Sequence, residues 1–192
     1  IARMASIGLP LLVHGEVTQH HVDIFDREAR FLDEVLTPLV QRHPTLRVVF
    51  EHATTREAVQ FVKSHPGVGC TITPQHLLVN RNHLLVGGIK PHLYCLPILK
   101  AEKHRRVLVD AVTGPQASRF FAGTDSAPHT TLKKYQACGC AGVYTAHAAL
   151  ELYADAFEKA GMLDRLDAFC SLNGPAFYGL PVNTERVTLR QT

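Results

Sequence analysis

Short apolar runs alternate with amphipathic segments along this chain. The runs that have the length of buried strands are 9–13, 46–50, 68–73 and 119–123. Between the first two, residues 24–42 carry apolar side chains at steps of three and four, which predicts a helix that Pro38 kinks or divides. Near-continuous apolar strands that alternate with helices are typical of a parallel sheet. The pattern therefore predicts an α/β fold, as half of a barrel or as one side of an open sheet.

The rest of the chain completes this pattern. Further helices are predicted at 1–7, from Thr54 onward, at 98–112, at 145–160 and at 163–170. Thr54 and Glu57 have the spacing of a capping box at the start of one of them. Residues 75–97 lack a period, and so long a connection inside a domain is usually functional. A loop at 173–181 and an edge strand at 187–189 complete the prediction.

Composition and charge exclude several classes of protein. A chain of 192 residues most simply forms one domain. The net charge of +3 is small and the basic residues are scattered, which argues against nucleic-acid binding. No apolar stretch approaches the roughly 20 residues that cross a membrane. The five cysteines are odd in number, and Cys138-Gly-Cys140 lacks the CxxC spacing, so we expect reduced thiols in the cytoplasm.

The first residues, IARMASIGLPLLVHGE, have neither an initiator methionine nor the layout of a signal peptide. They have the pattern of a helix end, a stop at Gly8 and then a strand. We therefore expect this sequence to begin inside a domain.

Three of the predicted strands end in side chains that bind metals. The endings LLVH, VVFEH and FAGTD place His14, His52 and Asp125 at the carboxyl ends of strands. In parallel α/β folds, functional sites assemble at that end of the sheet. Two imidazoles and a carboxylate suit zinc, which makes hydroxide available at neutral pH. Any one of the three alone is more often a polar loop residue.

Other motifs are less informative. No GxGxxG or GxxxxGK[ST] follows a strand, which excludes the dinucleotide and P-loop sites that these motifs mark. We expect solvated, surface or capping roles for His20, His21, His43, His65, His104 and His147. Cys138 and Cys140 are expected to be small hydrophobic residues in a tight loop. Gly139 and Gly142 in that loop indicate a backbone that approaches a ligand closely.

Seven segments, taken together and in order, resemble one known family. They are LLVHGEVT, DIFDREARF, VVFEHATT, TITPQHLLVNRNHLLVGGIKPHLYCLPILK, GTDSAPH, CGCAGVY and FCSLNGPAFYGLP. The sequence resembles the shorter, bacterial-type dihydroorotases of the amidohydrolase superfamily. The resemblance implies a (β/α)₈ TIM barrel of the metal-dependent hydrolase type. Residues 1–192 would form a single partial barrel domain, from about the fifth strand onward.

The resemblance also implies a centre of two zinc ions at the carboxyl face of the barrel. His14 and His52 match the two histidines that bind the more exposed zinc. Asp125 matches the aspartate of the last barrel strand, which binds the other zinc and transfers the proton. The resemblance therefore implies one catalytic residue, Asp125, and three metal ligands.

Three more positions match residues that hold the substrate. His129 matches the histidine that binds the substrate carboxylate, and Leu96 and Ala141 match positions whose backbone contacts the substrate. The implied reaction is the reversible interconversion of N-carbamoyl-L-aspartate and (S)-dihydroorotate in de novo pyrimidine synthesis. The resemblance implies a cytoplasmic enzyme that forms a homodimer.

The sequence departs from the family in one large respect. The first half of the family chain supplies a His-x-His pair, a bridging carboxylated lysine and a mobile loop, and none has a counterpart here. His20-His21 is not His-x-His, and Lys63, Lys90 and Lys100 lie in the wrong segments. The ligands of one zinc are therefore largely missing from the sequence. By comparison with the roughly 250 residues of a typical barrel, the chain would be about half to two-thirds of the enzyme.

This departure leaves alternatives open. The chain is either part of an active dihydroorotase or a non-catalytic fragment or pseudoenzyme that serves assembly. A third possibility is another two-zinc amidohydrolase with a different cyclic amide. The motifs CLP, GTDSAPH and CGCAG, which match the substrate side of the dihydroorotases, argue against the third.

Overall fold

A computed structural model describes residues 1–191, and Thr192, the last residue of the predicted domain, lies outside the described residues. The strands are β1 (Leu11–His14), β2 (Val48–Glu51), β3 (Val68–Ile72) and β4 (Phe120–Ala122). They form one parallel sheet in the order β1-β2-β3-β4. Each strand lies beside the strand that precedes it in sequence, which is the order of a (β/α) barrel rather than of a doubly wound sheet. The predicted parallel α/β fold is confirmed.

Helices connect the strands and cover the sheet. The α-helices are Ala2–Ile7, Arg27–Phe31, Thr37–Arg42, Arg56–Ser64, Pro74–Leu78, Arg81–Leu85, Glu102–Thr113, Thr131–Lys134, Ala149–Lys159 and Asn173–Tyr178. The 3₁₀ turns are Pro91–Leu93, Ala117–Arg119, Ala146–Ala148 and Leu163–Arg165, and the π-helical turns are Leu32–Leu36 and Ala168–Leu172. The predicted break near Pro38 is present as the π turn Leu32–Leu36, because proline cannot donate a hydrogen bond to the preceding turn.

Three local predictions were wrong. Residues 75–97 are not irregular throughout, because the helices Pro74–Leu78 and Arg81–Leu85, with the caps Thr73 and Asn80, occupy much of this stretch. Helices of one turn are too short to show a period in sequence. The predicted loop 173–181 begins with the helix Asn173–Tyr178, and residues 187–189 do not form a strand.

The cap of the helix Arg56–Ser64 also differs from the prediction. Thr55, not Thr54, is the N-cap, and its hydroxyl accepts the N–H of Ala58. The Thr54 hydroxyl does not cap the helix, because it donates to the buried carboxylate of Glu28 at 2.7 Å.

The core lies between the sheet and its helices and fixes the carboxyl ends of the strands. Phe50 and Phe120 are fully buried within it. Tyr153 links two neighbouring strands, because its hydroxyl donates to the Ile72 carbonyl at 2.8 Å and accepts the Gly123 N–H at 3.2 Å. The ends of β3 and β4 are therefore tied together from beneath.

Two further properties concern the helices and the cysteines. None of the helices formed by residues 1–191 combines the length and the apolar character needed to cross a membrane. All five cysteines have free thiols, as the sequence predicted.

Candidate active site

The two histidines predicted as metal ligands meet at the carboxyl ends of β1 and β2. His14 is the last residue of β1 and stands in register with Glu51, so His52 follows immediately on the neighbouring strand. Nδ1 of His14 lies 3.2 Å from Nε2 of His52, and the rings meet edge to face with centroids 4.8 Å apart. At that distance at least one of the two facing nitrogens carries no hydrogen.

His52 is held in an uncommon backbone conformation. Its φ is +42°, in the left-handed region that residues other than glycine rarely adopt. Its N–H donates to the Thr71 hydroxyl of β3 at 2.7 Å, which holds the residue in place. Burial first, and then the neighbouring His14, lower the pKa of His52 to about 4. The imidazole is therefore neutral at pH 7, which is the form that binds metals.

Glu16 supports His14 from the other side of the ring. Its Oε2 lies 3.0 Å from Nε2 of His14, and only 4% of the Glu16 side chain is exposed. This hydrogen bond is the main cause of the raised pKa of His14. A carboxylate on the second nitrogen of an imidazole is the usual partner of a metal-binding histidine. Sequence reasoning missed Glu16, although it follows His14 by two residues.

The geometry of the two histidines fits a shared metal ion. Zn–N bonds of about 2.0–2.1 Å in a tetrahedral site place two nitrogens about 3.3 Å apart. The observed separation of 3.2 Å matches this value. Nδ1 of His52 is buried and has no hydrogen-bond partner in the described part of the chain. The pair alone is not a complete site, because no three His, Cys, Asp or Glu side chains within residues 1–191 are grouped to hold a metal.

Asp125 lies within electrostatic range of this pair but forms no hydrogen bond or ion pair with it in the described part of the chain. It follows β4 by three residues, is exposed and has a φ of +43°. Partial burial raises the pKa of Asp125, and the positive charge of His14 opposes that shift. Burial, and then the negative charge of Asp125, raise the pKa of Glu51. The carboxylates of Glu51 and Asp125 are therefore close enough to influence each other. The structure thus joins two members of the predicted trio and leaves the third within electrostatic range.

His129 and Ala141, predicted to hold the substrate, are in contact. Nε2 of His129 lies 3.0 Å from the Ala141 carbonyl oxygen. The two segments pair, because Ala127 N–H donates to the Val143 carbonyl at 3.0 Å. Gly142 is required there: its φ is +144°, and a Cβ would lie 2.6 Å from the Ala127 Cβ. The backbone at Gly142 therefore packs closely against a neighbouring segment of the chain, and its predicted approach to a ligand stays a prediction.

Leu96 lies on a loop beside the same segment. Tyr94, two residues earlier, accepts the Gly142 N–H on its carbonyl at 2.9 Å. Leu96 is half-buried and Ala141 is half-buried, whereas His129 is exposed. The loop 94–97 and the segment 140–142 therefore lie side by side, and the substrate roles of Leu96 and Ala141 stay predictions.

A buried carboxylate supports the segment that carries His52. Glu28 is fully buried and accepts the N–H groups of Thr54 and Thr55, at 2.9 Å and 2.8 Å, as well as both hydroxyls. Burial raises the pKa of Glu28, whereas Lys100 and these donors oppose the shift. The sequence offered a signal for Glu28, since a charged residue lies in the apolar stripe of its helix.

The remaining histidines include one that the sequence did not single out. His20, His21 and His147 are exposed, whereas His43, His65 and His104 are half-buried. His76 is buried, with Nδ1 2.6 Å from the Thr73 hydroxyl and Nε2 3.1 Å from the Pro97 carbonyl. Burial lowers the pKa of His76 to about 3, so it is a neutral structural group next to the loop 94–97.

Curated relatives match the chain over its whole length. A dihydroorotase from Aromatoleum aromaticum is 63% identical over 190 residues, which are 98% of this chain and 55% of the relative. A dihydroorotase from Alkalilimnicola ehrlichii is 62% identical over 192 residues, with 100% of this chain and 56% of the relative covered. The chain thus spans about half the length of the curated relatives it matches. No protein-family model matches it.

Solved structures agree with these relatives. Dihydroorotase from Saccharomyces cerevisiae in complex with 5-fluoroorotic acid has a TM-score of 0.86 at 28% identity, over 93% of this chain and 52% of that chain. Dihydroorotase from Campylobacter jejuni has a TM-score of 0.83 at 31% identity, over 95% and 50%. An L-hydantoinase from Arthrobacter aurescens shares the fold, with a TM-score of 0.77 at 15% identity. The chain is therefore similar to about half of these dihydroorotases and has the fold of the corresponding part of their barrel.

Proposed function

We propose that the protein containing this chain is a zinc-dependent dihydroorotase. It would interconvert N-carbamoyl-L-aspartate and (S)-dihydroorotate, a step of de novo pyrimidine synthesis. The observation that carries the proposal is the meeting of two histidine nitrogens at 3.2 Å, at the strand ends of a chain 63% identical to a dihydroorotase. The contact between His129 and Ala141 supports the same assignment on the substrate side.

His14 and His52 would hold one zinc ion, and Asp125 would bind a second. Bound zinc lowers the pKa of its water and polarises the amide carbonyl. Glu16 keeps the His14 ring in place, and Thr71 keeps the His52 backbone in place. These hydrogen bonds come from the protein itself and would orient the two residues toward a shared ion. The His-x-His pair and bridging lysine expected for the second zinc have no counterpart in this sequence.

Asp125 would transfer the proton. In the ring-opening direction, water forms a bond to the amide carbonyl carbon and the ring C–N bond breaks. Asp125 accepts the proton of the attacking water and returns it to the departing nitrogen. In ring closure the same carboxyl group donates and accepts in the reverse order. The partial burial that raises the pKa of Asp125 brings its proton affinity closer to the range useful for this exchange.

His129, Leu96 and Ala141 would bind the substrate. A cationic or hydrogen-bonding imidazole suits a carboxylate, and backbone groups of the two loops suit the polar edge of a small ring. Fixing the ring by its carboxylate directs the amide bond toward Asp125 and the histidine pair, which lowers the entropic cost of reaction. We also propose that the enzyme works in the cytoplasm as a homodimer, as the family resemblance implies, with a small molecule as its other partner.

Turnover by a variant at Asp125 tests the proposal. Asp125→Asn removes the proton acceptor and keeps the side-chain size, so we expect a rate loss of at least about 10³-fold at unchanged thermal stability. Asp33→Asn, at an exposed aspartate of the π-helical turn Leu32–Leu36, is the matched control. Both variants are assayed in both directions alongside metal analysis. Near-normal turnover by Asp125→Asn would refute the assigned role.

The alternative is a non-catalytic protein that serves assembly. Measurements on the same purified protein distinguish it from the enzyme. Intact-mass analysis shows whether the purified protein is a chain of 21.2 kDa or a longer one. A protein that binds no zinc and converts neither substrate would exclude the enzymatic proposal. Conversion of another cyclic amide alone would instead favour a different amidohydrolase.

A further inference from the structure

Lys134 has a buried ammonium group that joins two loops. It ends the helix Thr131–Lys134, and only 3% of its surface is exposed. Its Nζ donates to the carbonyl oxygens of Tyr94, Cys140 and Gly142, at 3.1, 2.7 and 2.7 Å. An ammonium group has three hydrogens, so these three acceptors use all of its donors.

The acceptors lie on both sides of the proposed substrate site. Tyr94 precedes Leu96 by two residues, and Cys140 and Gly142 flank Ala141. The Ala141 carbonyl, in turn, contacts Nε2 of His129. Lys134 therefore fixes the backbone on both sides of Ala141, whose carbonyl oxygen contacts the His129 ring. It also fixes the distance from that backbone to the loop 94–97.

The charge of Lys134 has no anionic partner of its own. Within residues 1–191 no carboxylate lies within ion-pair distance of its Nζ. Carbonyl dipoles and the Tyr94 ring, 6.0 Å away, compensate the charge only in part. A cation buried without a counter-ion is costly, and it favours an anion bound nearby.

We propose that Lys134 is the positioning residue of the substrate-carboxylate site. It holds the loops of Leu96 and Ala141 together and supplies positive potential to an anionic ligand. This inference rests on the proposed function and adds to it a residue that acts through the backbone and His129, without touching the substrate. It predicts that Lys134 governs binding of the anion more than the chemical step.

The kinetic test compares two neighbouring lysines in the full protein. Lys134→Met keeps the length of the side chain and removes its charge and donors. Charge-assisted hydrogen bonds of this kind correspond to about a tenfold to hundredfold change in binding. We expect KM for dihydroorotate to rise by about that factor, with kcat changed about threefold or less. Lys133→Met, at the exposed lysine next in sequence, should leave both constants unchanged. Equal KM values for the two variants would overturn the inference.

A second measurement does not depend on the variants or on turnover. An amine-reactive reagent applied to the wild-type protein should label Lys133 and leave Lys134 unmodified, because the Lys134 ammonium group is enclosed by carbonyls. Saturating dihydroorotate should slow hydrogen exchange at the amide of Gly142. Equal labelling of the two lysines would show that the carbonyl cluster is wrong, whether or not the protein is a dihydroorotase. Absence of turnover with Lys134 protected would instead count against the proposed function alone.

Discussion

Nδ1 of His14 lies 3.2 Å from Nε2 of His52, although the residues are 38 positions apart in sequence. The parallel register of β1 and β2 brings them together, because His14 is aligned with Glu51 and His52 follows it. Each residue is then held by a different partner, the His14 ring by Glu16 and the His52 backbone by Thr71. Strand register and these hydrogen bonds together set the arrangement of the pair.

Glu16 should control how well His14 binds a metal. Glu16→Gln keeps the size of the side chain but weakens the hydrogen bond to Nε2 of His14. Loss of such a partner typically lowers metal affinity by about 10–100-fold. We expect a decrease of that size, measured by competition with a chromogenic chelator, which does not require turnover. Glu34→Gln, at an exposed glutamate, is the control, and an unchanged affinity in Glu16→Gln would contradict the assignment.

Glu28 should contribute strongly to stability. In the wild type, four N–H and O–H donors of Thr54 and Thr55 meet the Glu28 carboxylate. Glu28→Gln replaces one carboxylate oxygen with an NH₂ group, which is itself a donor and would face those donors without an acceptor. We expect the free energy of unfolding to fall by about 2–4 kcal/mol, measured by urea denaturation. Glu34→Gln, which breaks the exposed ion pair with Arg30, should cost less than about 1 kcal/mol. Equal losses of unfolding free energy in the two variants would show that the buried hydrogen bonds of Glu28 stabilise the fold no more than an exposed ion pair does.

Gly15 should tolerate no side chain. A Cβ at this position would lie 2.1 Å from the Phe50 ring, which is fully buried and cannot move freely. We expect Gly15→Ala to lower the free energy of unfolding by about 1–3 kcal/mol, the usual cost of overpacking. It should also weaken metal binding, because Gly15 lies between His14 and Glu16. Gly174→Ala is the control, since its Cβ would meet Phe121 at an ordinary 3.5 Å.

His76 should make the protein less stable in acid. The unfolded chain protonates this imidazole below about pH 6.5, whereas burial lowers the pKa in the folded protein to about 3. Stability is therefore complete above pH 6.5 and falls as the pH drops toward 3, by up to about 1.4 kcal/mol per pH unit. His52, with a pKa of about 4, adds to the same trend.

His76→Gln tests this dependence. Glutamine cannot take up a proton, so the slope of unfolding free energy against pH between about 4 and 5.5 should fall by about one proton equivalent. Urea denaturation at several pH values gives the slope. His21→Gln, at an exposed histidine, should keep the wild-type slope. A His76→Gln slope equal to that of wild type would show that the imidazole is not buried in neutral form.

The sequence by itself determined the parallel α/β fold and the residues at which the strands end. Strand period and apolar runs are local properties, and parallel pairing follows from their alternation with helices. The same local reasoning selected His14, His52 and Asp125, because each follows an apolar run. The family resemblance, which depends on the order of motifs, added His129, Leu96 and Ala141.

Only the tertiary structure decided what supports these residues. Glu28 and Lys134 bind groups up to 40 positions away in sequence, and no local pattern encodes such distances. Glu16 is only two positions from His14, but the hydrogen bond between their side chains is seen only in the folded chain. Their partners are chosen by strand register and by the burial of charge, which requires each buried polar group to find a donor or an acceptor. The sequence alone therefore indicates which residues form the site, and the packed structure determines which neighbours hold them in place.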